Sequence, residues 1–130
     1  MRLNKYILLL FALLLYSQIL AQGVYQAWVA RYNGPGNDED WATSLAVDDS
    51  GNVYVTGSSV GNGTLLDFTT IKYNSNGDTL WVRRYNGPVD SDDEARALAL
   101  DRNGNVYVTG YSIGSGTSRA VCLKKFLFVG

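Results

Sequence analysis

The chain has no histidine among its 130 residues. That excludes Ser-His and Cys-His nucleophile pairs and any imidazole metal site. Cys122 is the single cysteine, so no disulfide can form within one chain and stability has to come from packing. Basic residues are also short: 11 Lys and Arg stand against 12 Asp and Glu, a net charge of −1. Arg2 and Lys5 sit at the extreme N-terminus; without them nine basic residues face twelve acidic ones, a net charge of −3. This balance argues against general binding to nucleic acid or to an anionic membrane, and Lys124-Lys125 is too short for a basic patch. Beyond residue 21 there is no long apolar run, and no useful length carries the helical period of 3.6.

The first 21 residues form a unit of their own. A basic start, an apolar run from Ile7 to Tyr16 and the segment Ser17-Gln18-Ile19-Leu20-Ala21 read as a secretory signal peptide over 1–21. Ala21 suits the position before the cut, while Ile19 is larger than the small residue preferred there. The competing reading, a membrane anchor, meets a run shorter than the ~20 residues a spanning helix needs. No Cys closes the run, which argues against a lipoprotein anchor. Residues 22–130 are therefore expected to fold outside the cytoplasm, secreted or at the cell surface.

What is present in abundance is repetition. Leu45-Ala46-Val47-Asp48-Asp49-Ser50-Gly51-Asn52-Val53-Tyr54-Val55-Thr56-Gly57 returns as Leu98-Ala99-Leu100-Asp101-Arg102-Asn103-Gly104-Asn105-Val106-Tyr107-Val108-Thr109-Gly110. Each copy reads as strand, tight turn, strand, with Gly and Asn supplying the positive φ that a short hairpin needs. At the same offset of 53, Trp28 to Pro35 matches Trp81 to Pro88. That segment alternates and reads as a strand ended by Asn-Gly-Pro. An acidic loop follows each time, Asn37 to Asp40 and Asp90 to Glu94. A Gly/Ser/Asn-rich loop runs from Ser58 to Thr64, matched by Ser112 to Thr117. Leu66 to Tyr73 reads as a third strand, Asn74 to Asp78 as a turn, and Thr79 to Tyr85 as the fourth strand.

One repeat is thus four short strands, with repeat 1 over about 28–80 and a truncated repeat 2 over about 81–130. Ala46-Val47 and Val53-Tyr54-Val55 are apolar on both faces, as expected of strands lying between layers. Four-stranded antiparallel sheets stacked around an axis are the blades of a β-propeller, and the period is close to the ~40–50 residues typical of a blade. The fold class expected is all-β, with about two propeller-type blades. Val47 to Gly57, Asp67-Phe68, Thr70-Ile71-Lys72-Tyr73 and Trp81 resemble the bacterial β-propeller repeat family known as SBBP. The resemblance covers nearly all of the chain after residue 21. It implies a secreted or cell-surface protein with blade-like repeats; it implies no defined reaction and assigns no functional residues.

The second copy departs from the pattern at its end. Leu127-Phe128-Val129 stands where the polar turn Asn74-Ser75-Asn76 stood, and no fourth strand follows. Propellers close with about four to eight blades. Two readings stay open. The chain is a fragment of a longer propeller, or Gln26 to Asn33 supplies the missing outer strand of the second copy between chains, so that three or four protomers form a ring.

The residues offer little chemistry. Asp38, Glu39 and Asp40 with Asp90, Asp92 and Asp93 present oxygen ligands of the kind Ca²⁺ takes, but without EF-hand spacing they read as solvated acidic turns. Asp48-Asp49-Ser50-Gly51-Asn52 has Arg102 in its second copy where a carboxylate stood, so a turn explains both copies and a metal only one. Trp28 and Trp81 alternate on strands and read as packing residues. Trp41 reads as a loop residue and the best exposed aromatic. No catalytic, cofactor-binding or metal-binding residue is assigned. The function expected is a non-catalytic binding or structural scaffold with a protein or glycan ligand. The alternative is a carbohydrate-active enzyme or its accessory binding module, in which two of the carboxylates would act as a pair.

Overall fold

The computed structural model describes residues 23–116 and 119–127. The signal-peptide reading of 1–21 falls outside them. Seven strands make up the regular structure: β1 (Asp40–Val47), β2 (Val53–Val60), β3 (Leu66–Tyr73), β4 (Thr79–Tyr85), β5 (Glu94–Leu100), β6 (Val106–Ile113) and β7 (Arg119–Phe126). They form two antiparallel meanders, a four-stranded sheet β1-β2-β3-β4 and a three-stranded sheet β5-β6-β7. No helix occurs among the described residues. The expected all-β, blade-like architecture is what forms.

The hairpin turns are built identically in the two copies. Asp48 Oδ1 accepts from Ser50 N (3.0 Å) and Asn52 N (2.9 Å), and its Oδ2 accepts from Asn52 Nδ2 (2.8 Å) and the Tyr54 hydroxyl (3.1 Å). Asp101 repeats all four bonds with Asn103, Asn105 and Tyr107. Gly51 and Gly104 take φ of 77° and 78°, a region that side-chain-bearing residues avoid. Burial alone would raise the Asp48 carboxyl; the bonds from Asn52, Tyr54 and Ser50 outweigh it and hold it below its ordinary 3.8. At Asp101 the side-chain bond from Asn105 leads the same downward shift. A depressed folded-state value stabilises the fold above pH 3.8 and loses that contribution as the pH falls through it. The urea midpoint should therefore drop on acidification below that point. In Asp48→Asn/Asp101→Asn the drop should be visibly shallower; an unchanged acid limb would show the turns play no part.

The first strand of each sheet carries a bulge, between Ala42 and Ser44 in β1 and between Ala95 and Ala97 in β5. The bulged Thr43 turns its hydroxyl to donate to Ala95 O (2.8 Å), which joins the two sheets. Opposite the bulges lie Gly57 and Gly110. A Cβ on either would land on the carbonyl oxygen of Trp41 or of Glu94 respectively, so the strands approach too closely for any other residue.

Side chains alternate across each sheet. With the register of β1 to β4, one face of the first sheet carries Leu45, Val53, Val55, Ile71 and Tyr73. We call this its front. The back carries Tyr54, Thr56, Phe68, Thr70, Trp81 and Tyr85. The back packs onto the front of the second sheet. Tyr54, Phe68, Ala95, Val106 and Val108 form the buried core, joined by Trp81, Tyr85, Leu98, Leu100, Cys122 and Phe126. Trp81 meets Tyr54 edge-on at 6.0 Å and Tyr85 meets Phe68 at 5.7 Å. Lys124 Nζ lies 3.6 Å from the Tyr85 ring centroid, across the sheet–sheet seam.

Four sequence expectations are corrected. Trp28 to Pro35, read as a strand, belongs to neither sheet; it packs against the face of the first sheet, with Trp28 on Tyr73, instead of pairing with an edge. Trp41 is a strand residue in β1, since the ladder to β2 reaches back as far as Asp40 opposite Ser59. β2 likewise runs on to Val60, shortening the glycine-rich loop. Strands expected to be covered on both faces are covered on one in β1, where Leu45 and Val47 remain 61% and 57% exposed.

Candidate functional site

The front of the first sheet, buried at Ile71 and Tyr73 but open at Leu45, holds a groove of about 320 Å³ lined by Trp28, Tyr32, Trp41, Leu45, Val55 and Tyr73. Its floor is the valine and isoleucine surface of β2 and β3. One wall is the extended N-terminal segment, which lies across the sheet rather than beside it. Trp28 is set on Tyr73, ring centroids 6.3 Å apart and planes tilted by 36°. Burial, with Tyr32 nearby, raises the Tyr73 hydroxyl above its ordinary value.

Arg84 holds three residues of the groove lining, Tyr32, Ser59 and Thr69. Its Nη1 donates to Ser59 Oγ (2.6 Å), Thr69 Oγ1 (3.0 Å) and Tyr32 Oη (3.2 Å), and its Nη2 to Ser59 O (2.9 Å) and Asp67 Oδ2 (2.9 Å). Burial would lower the guanidinium; the bond to Asp67, then that to Tyr32, more than offset it, so it stays charged. Nothing in the sequence pattern singles out Arg84 as the centre of this network.

The acidic loops are exposed at Asp38, Glu39 and Asp90, as solvated turns are, but not at Asp40 and Asp93. Asp40 Oδ2 accepts from Gly34 N at 2.9 Å, and Asp93 Oδ2 accepts from Gly87 N. Asp93 is fully buried, and its own N–H donates to Leu66 O at 2.6 Å. The expectation of free acidic turns fails at these two carboxylates because each caps the loop six residues before it. The first loop lies against the start of the glycine-rich loop: Gly36 N donates to Val60 O and Val60 N to Glu39 O, both at 3.2 Å. Among the described residues, no three His, Cys, Asp or Glu side chains are gathered to hold a metal ion.

Two meander sheets stacked back to front, each with a bulged first strand and the same Asp-capped turn, define a blade-type repeat protein. The SBBP beta-propeller repeat model matches residues 27–63 and again 80–116, more than half of the chain. The chain belongs to that family. No curated protein matches it. Each matched unit begins on the Trp28 or Trp81 segment and runs through the two following strands, so the family's unit spans the seam between one sheet and the next.

Proposed function

We propose that the chain is exported and acts as a non-catalytic scaffold outside the cell or at its surface, working through its sheet faces. The observation that carries this reading is the duplicate use of its acids. Asp40 and Asp93 cap equivalent loops, and Asp48 and Asp101 organise equivalent turns, so these carboxylates serve the backbone. A carboxylate pair for glycoside hydrolysis needs two acids aimed across a cleft at one bond.

A glycan reading has one observation in its favour: the exposed Trp28 and Trp41 rings that line the groove suit stacking on sugar faces. A glycan array probed with the purified chain distinguishes the two. Binding without turnover fits a scaffold with a carbohydrate ligand. Hydrolysis abolished by one carboxylate substitution would overturn the scaffold reading in favour of a carbohydrate-active enzyme.

A further inference from the structure

Offsetting residues by 53 maps the front of the first sheet onto the front of the second: Leu45, Val47, Val53 and Val55 correspond to Leu98, Leu100, Val106 and Val108. Val106 and Val108 are buried, 2% and 0% exposed, under the back of the first sheet. Val53 and Val55 are only half-buried, in the open groove. The backs correspond in the same way. Phe68 and Thr70 are buried, whereas their counterparts Val121 and Leu123 are 80% and 68% exposed. One end of the molecule therefore presents an uncovered front and the other an uncovered back. The seam inside the chain shows how such a pair fits.

The N-terminal segment carries the argument further. Trp28 and Tyr32 are the counterparts of Trp81 and Tyr85, which sit on β4, the fourth strand of the first sheet, and face the second. Trp28 rests on Tyr73 where Trp81 joins the core beside Tyr73's counterpart, Phe126. The segment thus holds the position of the outer strand of a preceding blade, and among the described residues no strand pairs with it there. The second sheet has three strands, and β7 is its unpaired edge. Ser112, buried at 6% exposure, leaves its Oγ without a hydrogen-bond partner, while its counterpart Ser59 Oγ accepts from Arg84. Arg31, exposed on the N-terminal segment, is the counterpart of Arg84.

We propose that the N-terminal segment around Gln26–Asn33 of one copy pairs with β7 of a second copy, completing its three-stranded sheet and seating that sheet's back on the open front of the first copy. Arg31 then reaches Ser112 of the neighbouring copy. The acid of the Arg84 network has Ala120 as its counterpart, so the intermolecular version lacks the ion pair. The contact is head-to-tail, and such contacts make rings when the rotation closes. At two blades per chain, three or four copies fall within the ~4–8 blades of closed propellers. The neighbouring sheet would fill the groove offered above to a glycan, so assembly and glycan binding compete for that face; the scaffold reading itself does not depend on either, and sedimentation and the glycan array read the two separately.

The register makes a direct test. Arg84 lies opposite Thr69, so Arg31 is placed opposite Cys122, the counterpart of Thr69, in the neighbouring copy. Directly opposed residues on paired strands lie within disulfide reach. Arg31→Cys should form an intermolecular disulfide with Cys122 under mild oxidation, running to a closed species of three or four chains. Ala30→Cys, whose side chain alternates to the other face, should not. Sedimentation of the unmodified chain should give the same closed assembly, and Val121→Lys/Leu123→Lys should convert it to folded monomers of unchanged circular dichroism. A folded monomer of the unmodified chain at every concentration, or equal cross-linking of the two cysteine variants, overturns the proposal.

Discussion

Phe68→Ala is expected to lower the unfolding free energy by about 3–5 kcal/mol, the range for removing a buried phenylalanine and leaving its cavity. Phe68 is 2% exposed, meets Tyr85 edge-on, and lies where a side chain on Gly110 would have to go. It fills the gap between the two sheets from β3, and β6 passes close because Gly110 has no Cβ. Two-sided packing limits relaxation, which places the cost at the upper end. Denaturant titration followed by tryptophan fluorescence reads the effect. A loss below about 1 kcal/mol would mean that the sheets do not depend on this seam.

Arg84→Met should cost about 3 kcal/mol, within the range for breaking a largely buried ion pair by removing one partner. The partner left behind is Asp67, whose side chain is 7% exposed and whose Oδ1 already lacks a hydrogen bond. The loss arises chiefly from that stranded carboxylate. Arg84→Met/Asp67→Leu should therefore recover most of it, since a well-packed apolar pair often equals a buried ion pair in stability. Equal losses in the single and double variants would show that the bonds to Ser59 and Thr69, not the acid, set the value.

These two sites differ in how far they could be read in advance. Phe68 is a large aromatic between Asp67 and Thr69 on a segment that reads as a strand, so a place on the packed face is the reading its chemistry favours. The Arg84 network is not legible in this way. Its acceptors come from β2, β3 and the N-terminal segment, and its acid exists in only one copy, with Ala120 as counterpart. Nothing in the spacing of Ser59, Asp67, Thr69 and Tyr32 marks them as partners of one guanidinium. Asp40 and Asp93 were misread for a related reason. A run of acids looks solvated until the fold brings the backbone N–H of Gly34 onto Asp40 and that of Gly87 onto Asp93.

Local order was decided by the sequence. The Asp-x-x-Gly-Asn turns bond within six residues of themselves, the strands follow from β-branched alternation, and a 53-residue offset announces two copies of one unit. Contacts that close over short distances along the chain leave their mark in residue spacing. Only the tertiary structure decided which apolar face is covered and which stays open, because the two fronts are nearly the same in sequence. Their difference lies in what is stacked upon them: the back of the first sheet covers one front, and across the other lies the single extended segment of Trp28 and Tyr32.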